Sequence, residues 1–417
     1  MIYVVSHYYP PVSNPPSNRM EHLVRVLLEK YGAENVRVIT GRPNYPDGIL
    51  PSDLKWHLYK KKVGRLGEDV ECLYEVPAPF KGFFRKTVGL LSFSISVFIY
   101  FLFKRLKKDD LIFVTSGPIF PVYSIYFLSK FKRNMRYVMD IRDLWPQTVA
   151  GMGYLREGTF VYNISKSLSD KAHRSAEASI GVVEGICDYI KTVAPDKPVS
   201  LVYNPVNVEF FKPLSKKEVH DFRNANSDVF GDGEKTVFLY AGVHSNAMDL
   251  PSLMKALVLL HKKTDDFIFV FIGYGEQKQE MEKFTERNGL SSQVRFLSYM
   301  SREELRKYIC SVDFCYSSTS SNPIYRMVIP TKMCEYMSCN KFVVAVHDCP
   351  FASRAAEAGN AVVCSPGNCE EISDKLYDLI KNREKFAAEV TSRAYIVENH
   401  SDACFKTRML DFFRSIL

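Results

Sequence analysis

Several patterns that would settle a function on their own are missing from this chain. Its ten cysteines include no C-x-x-C pair and no cysteine–histidine cluster at zinc-site spacing. That argues against a zinc module, a dithiol redox motif or a disulfide scaffold, and for buried thiols in a reducing cytosol. No G-x-G-x-x-G follows the first strand, so a standard dinucleotide site is not expected. Met1 leads straight into an apolar strand without a basic leader region, so no secretory signal is read here. Charge is weakly biased, with 55 Lys and Arg against 47 Asp and Glu, and the net +8 is dispersed along the chain. Nucleic acid is not the partner such a balance predicts, whereas an anionic membrane surface or a phosphorylated ligand is compatible with it. The uncharged run Thr87–Phe103 stops at 17 residues and contains three serines, short of the roughly 20 apolar residues of a spanning helix.

What is present is an alternation of strands and helices over 417 residues, a length that predicts two or three domains. The first half opens on a strand Ile2–Ser6, a proline-rich loop from Pro10 to Asn18, and a helix Arg19–Tyr31 that Ser17 or Asn18 can cap. Apolar residues at Met20, Leu23, Val24, Leu27 and Leu28 give that helix its period. Further strands are predicted at Val36–Thr40, Val70–Val76, Leu111–Thr115, Arg136–Ile141 and, last in this half, Ala178–Val183. Leu201–Asn207 is the crossing, and the polar stretch Ser215–Lys235 reads as a surface excursion. The second half repeats the rhythm, with strands at Val237–Gly242, Phe267–Gly273, Val294–Ser298, Phe314–Ser318, Phe342–Val346 and Ala361–Cys364. Helices of roughly 8–13 residues between parallel strands give an α/β class of two Rossmann-like, doubly wound domains. The boundaries read as 1–203 and 204–397. A last helix within 398–417 has no strand after it and docks back on the first domain.

Four stretches carry chemistry. The helix Thr331–Cys339 starts just after Pro330, so its free N–H groups and positive dipole end face the mouth of a parallel sheet, where such folds bind anions. Lys332 in its first turn suits a diphosphate, and Glu335 about one turn deeper suits sugar hydroxyls. Second, Asp140, Arg142, Asp143 and Trp145 cluster at the end of a central strand, where buried charge needs a partner or a ligand. Asp140-x-x-Asp143 also has the spacing of a metal-binding carboxylate pair, but no further ligand accompanies it and no metal is expected. Third, Gly242, Gly273 and Gly275 end their strands and would let a ligand approach the backbone. Fourth, Thr87–Phe103 reads as a helix packed on the sheet. Its aromatic face and its flanks (Lys81, Arg85 and Lys86 before; Lys104, Arg105, Lys107 and Lys108 after) could rest on an anionic bilayer.

The order of these motifs resembles GT-B-fold glycosyltransferase family 4, in the bacterial branch that builds surface polysaccharide such as O-antigen and capsule. Val138-Met139-Asp140-Ile141-Arg142-Asp143-Leu144-Trp145-Pro146 is similar to its D-x-R-D-L-W-P stretch. Arg42-Pro43-Asn44-Tyr45-Pro46-x-Gly48 is similar to its P-N-Y-P-x-G loop. Tyr240-Ala241-Gly242, Ile272-Gly273-Tyr274-Gly275 and Pro330-x-Lys332-x-x-Glu335-Tyr336-Met337 match its strand ends and its P-x-K-x-x-E-Y-M. The resemblance implies two domains facing a cleft. It implies a retaining transfer of a hexosyl or N-acetylhexosaminyl group from a nucleotide sugar, without metal, to a glycan acceptor on a polyprenyl diphosphate. The place of action would be the cytoplasmic face of the membrane, held peripherally. Under it, Gly242, Gly273, Gly275, Arg326, Thr331, Lys332 and Glu335 serve the donor, with Glu335 on the nucleotide ribose and Lys332 near the diphosphate. Arg19, Asn44 and Tyr45 lie on the acceptor side, and Asp143, Asp140 and Arg142 form the catalytic group, with Asp143 the first choice for acceptor contact or proton handling.

The chain departs from that pattern at defined places. The first Glu of the family's E-x7-E motif falls at Met327. The Arg and Lys that many members place around the diphosphate fall near Val243 and Met248. Asn14-Pro15-Pro16 replaces a Gly-Gly loop, although Arg19 fits the Arg that follows it. Lys332, Arg326, Arg19 and the helix dipole are then the candidates to offset leaving-group charge. Two other readings compete: a degenerate subunit that binds or scaffolds, motivated by Met327, Val243 and Met248, and a nucleotide-sugar epimerase, which would need acid/base histidines among His7, His244 and His347.

Overall fold

The structure is a computed structural model that describes residues 1–12, 14–45, 48–55, 57–78, 83–388 and 390–417. Ser13, Pro46, Asp47 and Lys81, and the Lys86 side chain, which belong to stretches singled out above, lie outside the described residues. The chain forms two compact units, Met1–Pro205 with Phe405–Leu417, and Val206–Cys404.

The first unit holds strands β1 (Ile2–Ser6), β2 (Val36–Gly41), β3 (Tyr59–Val63), β4 (Asp69–Leu73), β5 (Leu111–Thr115), β6 (Arg136–Ile141), β7 (Ala178–Gly181) and β8 (Val199–Leu201). They form one sheet in the order β3-β4-β2-β1-β5-β6-β7-β8. All neighbours are parallel except β3, which returns antiparallel on β4. The second unit holds β9 (Thr236–Ala241), β10 (Phe267–Ile272), β11 (Val294–Leu297), β12 (Phe314–Ser318), β13 (Phe342–Val346) and β14 (Ala361–Cys364). Its sheet runs β11-β10-β9-β12-β13-β14 and is parallel throughout. The central strands β1, β5, β9, β10, β12 and β13 are buried at every residue, as expected where helices cover both faces. Strand order reverses at β1/β5 and at β9/β12. Crevices at the carboxyl ends of these pairs are where open α/β sheets bind ligands.

Three local readings are corrected. The first helix begins at Pro15, and its cap is Asn14, whose side chain accepts from the Ser17 N–H at 2.9 Å. Two prolines in the first turn cost nothing because their missing N–H groups would have been unpaired. Strand β8 follows β7 and extends the sheet beyond the strand read as last. The polar stretch after Ser215 folds into helices Lys216–Ala225 and Ser227–Phe230, the first closed by a reciprocal Ser215–Glu218 cap.

The helix Phe83–Phe103 packs on the first sheet. Phe93, Val97 and Phe101 are buried on one face, while Val88, Leu91, Ile95, Ile99, Leu102 and Phe103 are exposed on the other. Its serines explain why a run so apolar stays with the protein: Ser94 donates to the Phe120 carbonyl at 2.7 Å, Ser96 to that of Tyr74 at 2.8 Å, and Ser92 accepts from the Val76 N–H at 2.8 Å. Among the described residues no helix is long and apolar enough to cross a membrane. The last helix, Asp402–Arg414, buries Phe405, Met409, Phe412 and Phe413 in the core of the first unit, with Phe413 stacked on Phe113 at 5.8 Å. Each such side chain contributes about 1.5–3 kcal/mol, which holds the helix on that surface.

Candidate active site

In the second unit the helix Thr331–Ser338 starts beside the ends of β9 and β12. Lys332 is half-buried. Its ammonium donates to the Tyr240 hydroxyl at 2.7 Å and to the Met248 thioether at 3.5 Å, and lies 4.2 Å from the Tyr240 ring centroid. Burial pulls its pKa down to about 8, against an upward pull from Glu335. Glu335 itself bonds Arg302 at 2.8 Å, and burial pushes its carboxyl up while Arg302 and Lys332 pull it down. Arg302, held over the Phe211 ring at 4.9 Å, is a site residue the sequence reading missed; it lies 33 residues away and carries no spacing signal.

The three glycines have distinct reasons to be there. All have φ between +142° and +152°, a region side chains rarely adopt. A Cβ at Gly273 would strike the Gly242 carbonyl, and one at Gly275 the His244 backbone. At these two, backbone packed on backbone already requires glycine. A Cβ at Gly242 would sit 2.5 Å from the Lys332 Cε and Nζ, so this glycine clears the path of the ammonium. Beside them Gly273, Tyr274, Gly275, Glu276, Ser298 and Tyr299 line an open groove of about 540 Å³. Tyr274 and Tyr299 are exposed there as an edge-to-face pair at 5.8 Å.

Other donor-side candidates are less concentrated. Thr331 is exposed at the helix start. Arg326 is exposed and paired with Asp348 at 2.7 Å, so it is not an uncommitted cation. Met248 supplies a soft acceptor to Lys332. His347 is held by Ser317 at 2.8 Å and Thr319 at 3.0 Å. Burial pushes its pKa down to about 3, and that of His244 to about 4. Burial thus favours the neutral form of both imidazoles.

In the first unit Asp140 and Arg19 are fully buried and face each other at 2.7 Å. Arg19 also donates to the Tyr203 carbonyl and the Asn204 side chain, and Asp140 accepts from Thr115 at 3.1 Å. Together they tie the first helix and the β5 and β6 ends to the segment after β8. Asp140 thus has two side-chain partners, and Arg19 has three acceptors. Arg142 differs: its Nε and one terminal nitrogen are buried with no hydrogen-bond partner among the described residues. Burial pulls it down to about 10, with Asp140 pulling up and Arg19 down. Asp143 reaches the surface, its carboxyl pushed up by the protein packed around it and pulled back by Arg142.

Asn44 and Tyr45 come together with residues the sequence reading did not group with them. Asn44 donates to Glu75 at 3.0 Å, and Glu75 lies 3.1 Å from the His7 Nε2. Tyr45 meets Tyr8 edge-to-face at 5.8 Å. His7, Tyr8, Asn44, Tyr45 and Glu75 surround a cavity of about 20 Å³, room for one water or one hydroxyl. The His7 Nδ1, on the other side of the ring, is buried and without a hydrogen-bond partner among the described residues.

The whole chain aligns with solved structures of low sequence identity. Anabaena HepE in complex with UDP superposes with TM-score 0.69 at 14% identity, over 100% of this chain and 99% of that one. Sucrose-phosphate synthase from Thermosynechococcus elongatus gives 0.68 at 13%, over 100% and 98%. WaaG, a glycosyltransferase involved in lipopolysaccharide biosynthesis, gives 0.62 at 12%, over 99% of both chains. What is shared is the two-domain α/β architecture of GT-B glycosyltransferases. No curated protein matches the chain by sequence. Residues 207–397, which hold Lys332, Glu335, Arg302 and the three glycines, match the family described as Glycosyl transferases group 1, so the second unit carries a glycosyl transferases group 1 domain.

Proposed function

We propose that this protein is a retaining glycosyltransferase that moves a hexosyl or N-acetylhexosaminyl group from a nucleoside-diphosphate sugar to a lipid-linked glycan acceptor, in the synthesis of bacterial surface polysaccharide. The observation that carries this reading is Lys332. It is an ammonium kept half-buried at a helix start, with a phenol and a thioether as its acceptors, neither of them charged. Burial disfavours that charge, and a diphosphate would restore it. HepE, with the same fold, has been seen with UDP and with UDP-glucose.

The nucleotide lies on the second unit in this reading. Its diphosphate meets Lys332 and the helix N–H groups, its ribose meets Glu335 positioned by Arg302, and its base stacks on the exposed Tyr274–Tyr299 pair. As the leaving phosphate gains charge, the fixed ammonium stabilises it without reorganisation. The acceptor lies on the first unit, with Asp143 and Arg142 contacting its polar groups and the His7–Glu75 pair offering a proton acceptor for its hydroxyl. No nucleophile and no metal is assigned. The exposed face of helix Phe83–Phe103, followed by the exposed Arg105, Lys107 and Lys108, rests on the anionic inner surface of the cell membrane, where a polyprenyl-diphosphate acceptor would be presented.

The test is a panel of UDP-, GDP- and dTDP-sugars with the purified protein, reading thermal shift and slow release of free nucleotide. Stabilisation and release with one nucleotide, both diminished in Glu335→Ala, is the expected result. No shift with any nucleotide would move the assignment to a scaffold subunit.

A further inference from the structure

The helix Phe83–Phe103 is one of three that lie side by side on the first unit. Helix Phe120–Ser129 packs between it and helix Phe160–Ser175. All three run the same way. Ser94 donates to the Phe120 carbonyl at the start of the middle helix, and Lys132, just past its end, donates to the Phe101 carbonyl at 2.6 Å. On the other side Tyr123 donates to the Ser165 carbonyl at 3.4 Å, and Lys130 to the Ser175 hydroxyl at 3.5 Å. They also cover the same face of the sheet. Tyr3 and Tyr137 lie in one row of the register through Ile112. Tyr3 meets Phe101 edge-to-face at 5.7 Å, and Tyr137 donates to the Ala172 carbonyl at 2.8 Å.

The exposed apolar stripe of Phe83–Phe103 continues across its neighbours. Phe127 and Phe131 are exposed on and just after the middle helix. Phe160, Val161 and Ile164 are exposed in the first two turns of the third, Phe160 to 79%. So much apolar surface gathered on one side marks an interaction site. The charges around it are of one sign. Within residues 83–110, 120–134 and 147–175, nine lysines and arginines are exposed, against Asp109 and Glu157 alone among the described residues. The whole chain holds 55 against 47, so the bias belongs to this surface.

We propose that the three helices form a single docking surface for an anionic bilayer, with Phe160, Val161 and Ile164 entering its acyl region. The inference rests on the membrane contact proposed for Phe83–Phe103 and gives it a second, separate line of anchorage. One helix alone would let the unit roll about the helix axis; two lines fix its orientation. Charge selects lipid over a second copy. A two-fold pairing through this surface would set its basic residues against themselves, whereas anionic headgroups neutralise them. An apolar helical face of this kind settles about 5–10 Å into the headgroup boundary. The third helix follows β6, whose end delivers Asp143. Anchorage there holds that end of the sheet near the headgroups, the level at which a lipid-borne diphosphate lies.

The test uses the full-length protein with vesicles of phosphatidylcholine, with and without phosphatidylglycerol, at low salt. With the wild-type signal subtracted, Phe160→Trp should be quenched by brominated phosphatidylcholine in the mixed vesicles. Arg25→Trp should not be, because helix Pro15–Tyr31 packs on the other face of the sheet, against Val4 and Val138. Phe160→Ser combined with Val161→Ser and Ile164→Ser should weaken co-sedimentation about tenfold or more and leave the UDP thermal shift unchanged. Three results would overturn the inference: an unquenched Phe160→Trp on bound protein, a serine variant that sediments like wild type, or a wild-type dimer in solution that the serine variant dissolves. If Ile95→Glu with Ile99→Glu loses the vesicles while the serine variant keeps them, the contact of Phe83–Phe103 stands and this extension of it falls. A wild-type protein that ignores the vesicles removes both.

Discussion

Replacing Lys332 by methionine removes a charge while keeping much of the volume. Two effects of opposite sign should follow. The folded-state pKa of Lys332 is about 8, below its ordinary 10.5. A lowered lysine binds its proton less tightly when folded, so below about pH 8 the charge costs stability. That cost is relieved as pH rises from 8 towards 10.5. Lys332→Met should therefore unfold at a higher temperature than wild type at pH 7 when no ligand is bound. Nucleotide binding should change the other way. An ammonium about 4 Å from a phosphate charge is worth roughly 4 kcal/mol at an effective dielectric near 20, before desolvation is subtracted. A net loss of about 1.4–2.8 kcal/mol, tenfold to a hundredfold in affinity, is expected. The wild-type affinity for UDP should itself fall about tenfold between pH 7 and pH 9, as the protonated fraction drops from roughly nine-tenths to one-tenth. The neighbouring groups do not titrate in that window: His244 and His347 are pushed far below it and Tyr240 above it. Calorimetry at pH 8 in buffers of different ionisation enthalpy should show about half a proton taken up per UDP bound. A wild-type affinity flat from pH 7 to 9, or a Lys332→Met protein that is less stable and binds UDP as before, would refute the reasoning.

Three further outcomes are expected. Asp140→Asn leaves Arg19 buried without its counter-charge, which costs about 3–5 kcal/mol. At roughly 2–4 °C per kcal/mol for a unit of this size, the melting temperature should fall by at least about 6 °C in calorimetry. Asp143→Ala should leave the melting temperature near wild type and cut turnover strongly; near-normal turnover would remove Asp143 from the site. Ile95→Glu with Ile99→Glu, at positions 58% and 50% exposed, should abolish co-sedimentation with anionic vesicles at low salt and leave the UDP thermal shift unchanged.

The part of this molecule legible in the sequence is the part encoded locally. The helical period after Asn18, the continuous apolar strands and the Pro330-to-Glu335 spacing each depend on residues within a turn or two. What could not be read is partnership over distance. Arg19 meets Asp140 across 121 residues, and Lys332 meets Tyr240 across 92. The same limit explains the glycines. Gly242, Gly273 and Gly275 were legible as strand ends, but only the register of β9 against β10 reveals that Gly273 is needed by a neighbouring carbonyl. The strand β3 was missed because its residues, Tyr-Lys-Lys-Lys-Val, carry none of the apolar alternation that marks a buried strand.

That strand has a bearing on the fate of the protein at high concentration. A border strand exposes unpaired peptide groups to any other chain, and rows of lysine there set like charges against an incoming copy. The first sheet ends on Lys60, Lys61 and Lys62 at one border and on a strand of three residues at the other. The second sheet ends on strands of four residues each. Among the described residues no border offers a long, uncharged template. A protein that keeps an apolar helical face open to solvent is thus guarded, at its sheet borders, against strand-by-strand growth into fibres.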